Sequence, residues 1–456
     1  MKRNILLILA LAMAALPVGA AAQVISFDNL EASLLDMKAA GAPAAALPAP
    51  VPAPAAVPAA LPAAPAAERD WLVLVFINGR NNLARAGIMD TNEMEMVGST
   101  DKVAVTVELG LLQDRGTSSR IYIQKDTTAG AANKMGAIVS PAIPVPGADM
   151  GSWKHFADFA KWSYRRYPAK NVLAILWNHG SGRVDIGGAD NTGSELGIAY
   201  DDLTRNFIRN KQIALALKDI EGSIGKKVSV YASDACLMQM ASVIYEIKDN
   251  ADFIVGAEEI VPGAGFPYDT ILAELTANPG TDPEALSKMI VDKFHAFYSG
   301  TGNNTTLSAV RSSKVEGFAA VVNDWVKAAA TPANRKIVLE AEENALAFEE
   351  GYNGNDTTGN ARSKDLYDFV DLVNQKANKA SKLYAKGEAL KKYIEGTLVI
   401  ANKTTEPGSG YEKAKGVAVY FPKMIYDSSY DENIFSRDSL WDDYLKWKLD
   451  PSYKIR

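Results

Sequence analysis

Apolar and polar positions change period along the chain in a regular order. Residues 71–77, 103–109, 120–124, 172–177, 228–232, 253–257, 307–310 and 416–421 form short, mostly apolar runs containing many β-branched and aromatic residues. That is the pattern of strands, most of them buried on both faces. Residues 88–97, 153–167, 210–221, 237–247, 283–297, 315–329, 330–350, 365–378, 382–401 and 439–449 instead read as helices, most with apolar residues at helical spacing. The stripe Trp153, Phe156, Phe159, Trp162 reads as core packing. Strand and helix alternate, which predicts an α/β fold around a mainly parallel sheet.

Two of the strands end in short polar motifs. The 172–177 run stops at Asn178-His179-Gly180-Ser181-Gly182, and the 228–232 run at Ser233-Asp234-Ala235-Cys236. Open α/β sheets bind ligands just beyond the carboxyl ends of their strands, so a histidine and a cysteine at two such ends can meet across one crevice. The 237–247 helix is read as opening at Cys236, where its dipole and free amides would favour a thiolate. Residues 182–202, rich in glycine, aspartate and asparagine, read as an exposed loop. The segment 130–151 also reads as loop.

The N-terminus departs from this plan. Lys2 and Arg3 precede an apolar run at 5–16 and the small residues Ala20-Ala21-Ala22, the order of a secretory signal peptide. Residues 1–22 are therefore read as a leader and the protein as exported, periplasmic or secreted. Residues 23–67 hold a weakly amphipathic stretch and then an Ala/Pro-rich spacer that cannot build a core. Residues 68–330 are read as the core and 331–456 as a C-terminal subdomain packed on it. No stretch reaches the ~20 apolar residues of a membrane-spanning helix.

Composition narrows the chemistry. The 456 residues carry a formal net charge of -6 with no basic run, which argues against a nucleic-acid partner. A single cysteine excludes an intramolecular disulfide framework, and three scattered histidines support a zinc site poorly. No G-x-S-x-G elbow marks a serine hydrolase. Cysteine attack on a carbonyl needs a thiolate, a proton carrier and oxyanion donors. Cys236 and His179 supply the first two, and the amides of Gly180 and Cys236 are candidates for the third. In caspase-type arrangements the histidine precedes the cysteine by ~50 residues, the order seen here. Asp234, by the site's wall, would favour a basic substrate side chain, and it also reads as a helix N-cap. His155 and His295 read as packing or surface residues.

The motifs Leu176-Trp177-Asn178-His179-Gly180-Ser181-Gly182 and Asp234-Ala235-Cys236-Leu237-Met238 resemble the two active-site motifs of the clostripain family of cysteine peptidases. Asn81-Asn82-Leu83, Ile198-Ala199-Tyr200-Asp201-Asp202, the block from Pro262 to Tyr268, Leu366-Tyr367-Asp368-Phe369 and Val419-Tyr420-Phe421-Pro422 match its pattern in order. The resemblance implies a caspase-like three-layer sandwich with helices on both faces and a C-terminal helical extension. It implies a His179–Cys236 dyad that forms a thioester acyl-enzyme, and cleavage of protein or peptide substrates after Arg or Lys with Asp234 in the pocket (S1). Some members need calcium, and many mature by self-cleavage after the histidine motif. Three departures stand out. Arg80 replaces the aspartate common before Asn81. Residues 184–204 contain no lysine or arginine, Arg183 and Arg205 flanking the gap. No second pocket carboxylate matches near Ala264 and Gly265. The expectation is a monomeric cysteine endopeptidase. Alternatives are a silent binding protein of the same fold or a transpeptidase using the same dyad.

Overall fold

The computed structural model describes residues 68–128, 134–182, 197–348, 362–405 and 407–456. The leader and the Ala/Pro spacer lie outside them. The chain begins with β1 (Arg69–Gly79), crosses through a helix at Ala84–Glu95 to β2 (Val103–Leu111), and turns back along β3 (Thr117–Tyr122) and β4 (Ala142–Pro146). A helix at Trp153–Arg166 leads to β5 (Ala169–Trp177), followed by a hairpin of β6 (Ile198–Asp201) and β7 (Asn206–Ile208). The helix Asn210–Ile224 leads to β8 (Val228–Asp234), and Ala241–Ile247 to β9 (Ala251–Gly256). After helices Tyr268–Ala277 and Pro283–Tyr298 come β10 (Thr306–Arg311), then β11 (Ala347–Phe348), β12 (Arg362–Asp365), β13 (Val399–Thr404) and β14 (Ala418–Phe421).

Among the described residues nine strands form one sheet in the order β13-β10-β9-β8-β5-β1-β2-β3-β4. The five central strands, β9-β8-β5-β1-β2, are parallel. The flanking pairs β2–β3, β3–β4, β9–β10 and β10–β13 are antiparallel. β1, β2, β5 and β8 are buried almost throughout, which is why they read as unbroken apolar runs rather than alternating ones. From β1 the chain steps one way to β2, then the other way through β5, β8 and β9. Right-handed crossovers therefore put Ala84–Glu95 on one face and the helices at 153–166 and 210–224, which pack on each other, on the opposite face. The reversal falls between β1 and β5, and that is where an open sheet splays to admit a ligand.

Three of the differences from the sequence reading have a clear local cause. β4 lies inside the segment read as loop. Pro144 and Pro146 disguise it, and proline is tolerated there because β4 is an edge strand. Residues 330–350 hold a shorter helix, Arg335–Asn344, because Pro332 disfavours helical geometry before it. Val399 onward, read as helix, is β13. Its β-branched Val399 leaves the preceding helix to pair with Val310 of β10, and a register shift passes over Ile400 before Ala401 pairs with Ala309.

The C-terminal segment buries an aromatic cluster of Trp325, Phe369, Phe421, Trp441 and Tyr444, with Phe369 and Phe421 ring centroids 4.8 Å apart. It also reaches the site, since Ala418 N–H donates to Gln239 O at 3.1 Å, three residues beyond Cys236.

Candidate active site

The register of β5 and β8 pairs Trp177 with Asp234, so His179 and Cys236 each stand two residues beyond a paired position. Backbone contacts continue that register past the strand ends. Asn178 N–H donates to Asp234 O at 3.3 Å. Gly180 lies directly on the cysteine turn: a Cβ on it would collide with the Cys236 carbonyl oxygen and come within 3.0 Å of Ala235 Cβ. Glycine is required here because two backbones touch. Gly180 also bridges to Ile198, but the hydrogen bond of that bridge runs from Ser181 N–H to Gly197 O at 3.0 Å.

The surroundings of Cys236 correct one expectation. No helix opens at the cysteine; the next one is Ala241–Ile247. Residues 237–240 are held by their neighbours instead. Leu237 takes a left-handed φ of 62° and donates to Glu259 O at 3.2 Å, Gln239 donates to Ala257 O at 2.9 Å, and Met240 bridges to Ala418. These bonds to flanking chain outcompete helical ones, so neither the helix dipole at Cys236 nor an N-cap role for Asp234 applies. A different donor faces the sulfur: Val261 N–H reaches Cys236 Sγ at 3.4 Å. Cys236 is 3% exposed.

His179, half-buried, donates from Nε2 to Asn82 Oδ1 at 2.7 Å. Asn82 belongs to the loop that leaves β1, and an asparagine network binds that loop to the histidine loop. Asn81 Nδ2 donates to Asn178 Oδ1 (3.2 Å) and Tyr200 O (3.1 Å), Asn178 Nδ2 donates to Asn78 O, and Asn78 Nδ2 donates to Ala199 O (2.9 Å). Beneath it Arg80, fully buried, pairs with the equally buried Asp201 at 3.1 Å and donates to Ala148 O. The segment read as an exposed loop is therefore in part interior. Residues 183–196, with Arg183, lie outside the described residues, while Ala199 and Asp201 are buried where the β1 loop bonds to them and Ile198 where it bridges to Gly180. Asp202 is close enough to His179 to feel its charge, although burial still raises its pKa.

Asp234 lies beneath the site's wall rather than on it. It is 0% exposed, and its Oδ2 accepts from Phe266 N–H at 3.0 Å and Tyr268 OH at 2.9 Å. The turn that covers it depends on Gly265, whose φ of 57° favours glycine and whose missing Cβ would sit 2.9 Å from Oδ2. Two further acids of the Ala84–Glu95 helix are buried beside it. Asp90 accepts from Trp177 Nε1 at 2.6 Å, and Glu93 accepts from Lys134 Nζ at 2.7 Å and Tyr268 N–H at 3.2 Å. Burial, reinforced by Glu93, pushes the Asp234 carboxyl up to about 7. Burial likewise pushes Glu93 up to about 7, and raises Asp90 well above the carboxylate range. The sequence reading sought a second pocket acid near Ala264, but the acids adjoining Asp234 come from a helix distant in sequence. His155 pairs with Glu108 at 3.0 Å, away from these groups. Among the described residues no group of three or more His, Cys, Asp or Glu side chains could hold a metal ion, so calcium finds no such ligand set there.

A mainly parallel sheet sandwiched by helices, with a histidine and a cysteine beyond adjacent strands, defines the caspase-like class of α/β fold. Within it, the chain belongs to the clostripain family of cysteine peptidases, whose sequence profile matches residues 75–447. It is similar to clostripain of Hathewaya histolytica, with 31% identity over 145 residues, 30% of this chain and 27% of that protein. The match thus spans under a third of clostripain's own length. The fold resembles a secreted C11 cysteine protease of Bacteroides thetaiotaomicron solved with an irreversible peptide inhibitor (TM-score 0.59, 20% identity, 83% of this chain and 99% of that one). It also resembles an inactive zymogen C11 protease of Parabacteroides distasonis (TM-score 0.58, 19% identity, 82% and 98%). None of the described helices is long and apolar enough to cross a membrane.

Proposed function

We propose that the protein is an exported cysteine endopeptidase that cleaves after arginine or lysine through His179 and Cys236. The observation that carries this reading is the β5–β8 register, with both side chains two residues beyond the Trp177–Asp234 pair. The Cys236 sulfur, its proton taken by His179, attacks the scissile carbonyl. A carbon–sulfur bond forms, and the carbonyl oxygen becomes an oxyanion facing the amides of Gly180 and Cys236. When the tetrahedral intermediate collapses, the carbon–nitrogen bond breaks and the leaving amine takes the proton from His179. Water then attacks the thioester and gives a proton to His179, which passes it back to the departing sulfur. The Val261 amide bonded to Sγ favours the thiolate in the role that a helix terminus would otherwise fill.

A basic substrate side chain is taken up by Asp234. Its buried carboxyl, crowded by Glu93 and Asp90, gains a counter-charge when a guanidinium or ammonium enters. Entry requires the turn of Phe266 and Tyr268 to give way, since Asp234 is 0% exposed. Export rests on the leader-like residues 1–22. The test incubates wild type and Cys236→Ala with fluorogenic peptides ending in Arg, Lys or Asp. Hydrolysis of the Arg and Lys peptides by wild type alone is expected. Indistinguishable wild type and variant on all three would overturn the peptidase reading, and equal rates on Asp would overturn the basic preference.

A further inference from the structure

We infer that Asn82 is a positioning residue of the reacting group: its side-chain carbonyl holds His179 through Nε2–H, so that Nδ1 exchanges the proton with Cys236. The inference rests on the His179–Cys236 reading and adds a third residue to it. The bond is short, 2.7 Å from Nε2 to Oδ1. Asn82 is exposed, while its neighbours Asn81 and Leu83 are 3% and 0% exposed. The flanking residues fix the loop, and the Asn82 amide contributes little to packing. Both ends of the bond are anchored by one network, because Asn81, next to Asn82, bonds to Asn178, next to His179. Leu83 N–H to Asn81 Oδ1 at 2.9 Å fixes the same turn. The bond crosses from the end of β1 to the end of β5, the point where the strand order reverses and a ligand is admitted.

The physical effect is on tautomer and charge. A carbonyl acceptor selects the neutral ring protonated at Nε2, leaving Nδ1 as the base, and it favours the imidazolium that forms when Nδ1 takes the thiol proton. A carboxylate in the same place would add a full negative charge beside the ring, which a neutral amide does not. Among the described residues Asp202, from the turn after β6, lies close enough to His179 to interact with it electrostatically, and the proposed partner of the ring is the Cys236 thiol. Neither is altered by substitution at Asn82.

The test compares Asn82→Ala and Asn82→Asp with wild type in kcat and KM on an arginine peptide and in the pH profile of kcat/KM. It also follows alkylation of Cys236 by iodoacetamide against pH, read by intact mass, which is unambiguous because the chain has one cysteine. Asn82→Ala is expected to lower kcat roughly tenfold to a hundredfold with little change in KM. Asn82→Asp, keeping the acceptor, is expected to recover most of that loss. The midpoints of the pH profiles should move to lower pH in Asn82→Ala and to higher pH in Asn82→Asp, in turnover and alkylation alike. A merely structural role would not produce opposed shifts. Unchanged kcat in Asn82→Ala, or profiles that coincide with wild type in both variants, would overturn the inference. A wild type that cleaves none of the peptides overturns the peptidase reading instead, and Asn82 is then judged on the alkylation profiles alone.

Discussion

Two buried charged groups flank the ends of β1, β5 and β8, and they are built on opposite principles. On one side Arg80 and Asp201, both fully buried, neutralise each other at 3.1 Å and tie the β1 loop to the β6–β7 hairpin. On the other, Asp234, Asp90 and Glu93 crowd three acids together, with Glu93 in an ion pair with the partly exposed Lys134. A matched buried pair fixes geometry, whereas like charges that burial drives toward neutrality form a site that gains by receiving a cation. Arg80, the departure from the family's usual aspartate, belongs to the first kind. The structure gives it a scaffold role at the base of the loop that carries Asn82.

Breaking the matched pair should have the largest effect. Arg80→Met leaves Asp201 buried and uncompensated, an expected loss of about 3–5 kcal/mol in denaturant unfolding. A loss below 1 kcal/mol would show that the pair does not hold the loop. Asp234→Asn should do the reverse, sparing stability because an amide oxygen still accepts from Phe266 and Tyr268. Its kcat/KM on the arginine peptide should nevertheless fall by about a hundredfold. A variant that retained its basic preference would remove Asp234 from substrate recognition.

Acidity sharpens the contrast further. Asp234 and Glu93 hold protons in the folded protein from their ordinary values of 3.8 and 4.5 up to about 7, a range where the unfolded chain has lost them. Stability therefore declines as pH rises through that window. Urea midpoints measured between pH 5 and pH 8 should show a shallower decline in Asp234→Asn. The preference for Arg over a neutral residue in kcat/KM should weaken as pH falls below about 7, because the free enzyme's carboxyl becomes neutral. Lys134→Ala should have the smallest effect, below about 1 kcal/mol, since Lys134 is one-third exposed and its pair is screened.

The strands and the two motifs were legible because parallel strands buried on both faces leave long apolar runs that stop abruptly at polar residues. His179 and Cys236 were visible as such stops. The helix predicted at Cys236 failed because periodicity cannot register that Leu237 and Gln239 bond to the segment after β9. Glu93 falls in the segment 88–97 read simply as helix, yet it is buried because its helix is covered by Tyr268–Ala277. The Asn81-Asn82-Leu83 block was noted as a match, but its partner lies almost a hundred residues away. A signal was present: this block follows β1 as the histidine motif follows β5.

By itself the sequence determined the alternation of elements, the α/β class and the two strand ends that carry His179 and Cys236, since each follows from local periodicity and burial. Only the tertiary structure decided which residues stand against those two. The Asn82 amide beside His179, the Val261 amide on the sulfur and the acids around Asp234 come from segments far apart in the chain, and local pattern carries no record of such contacts.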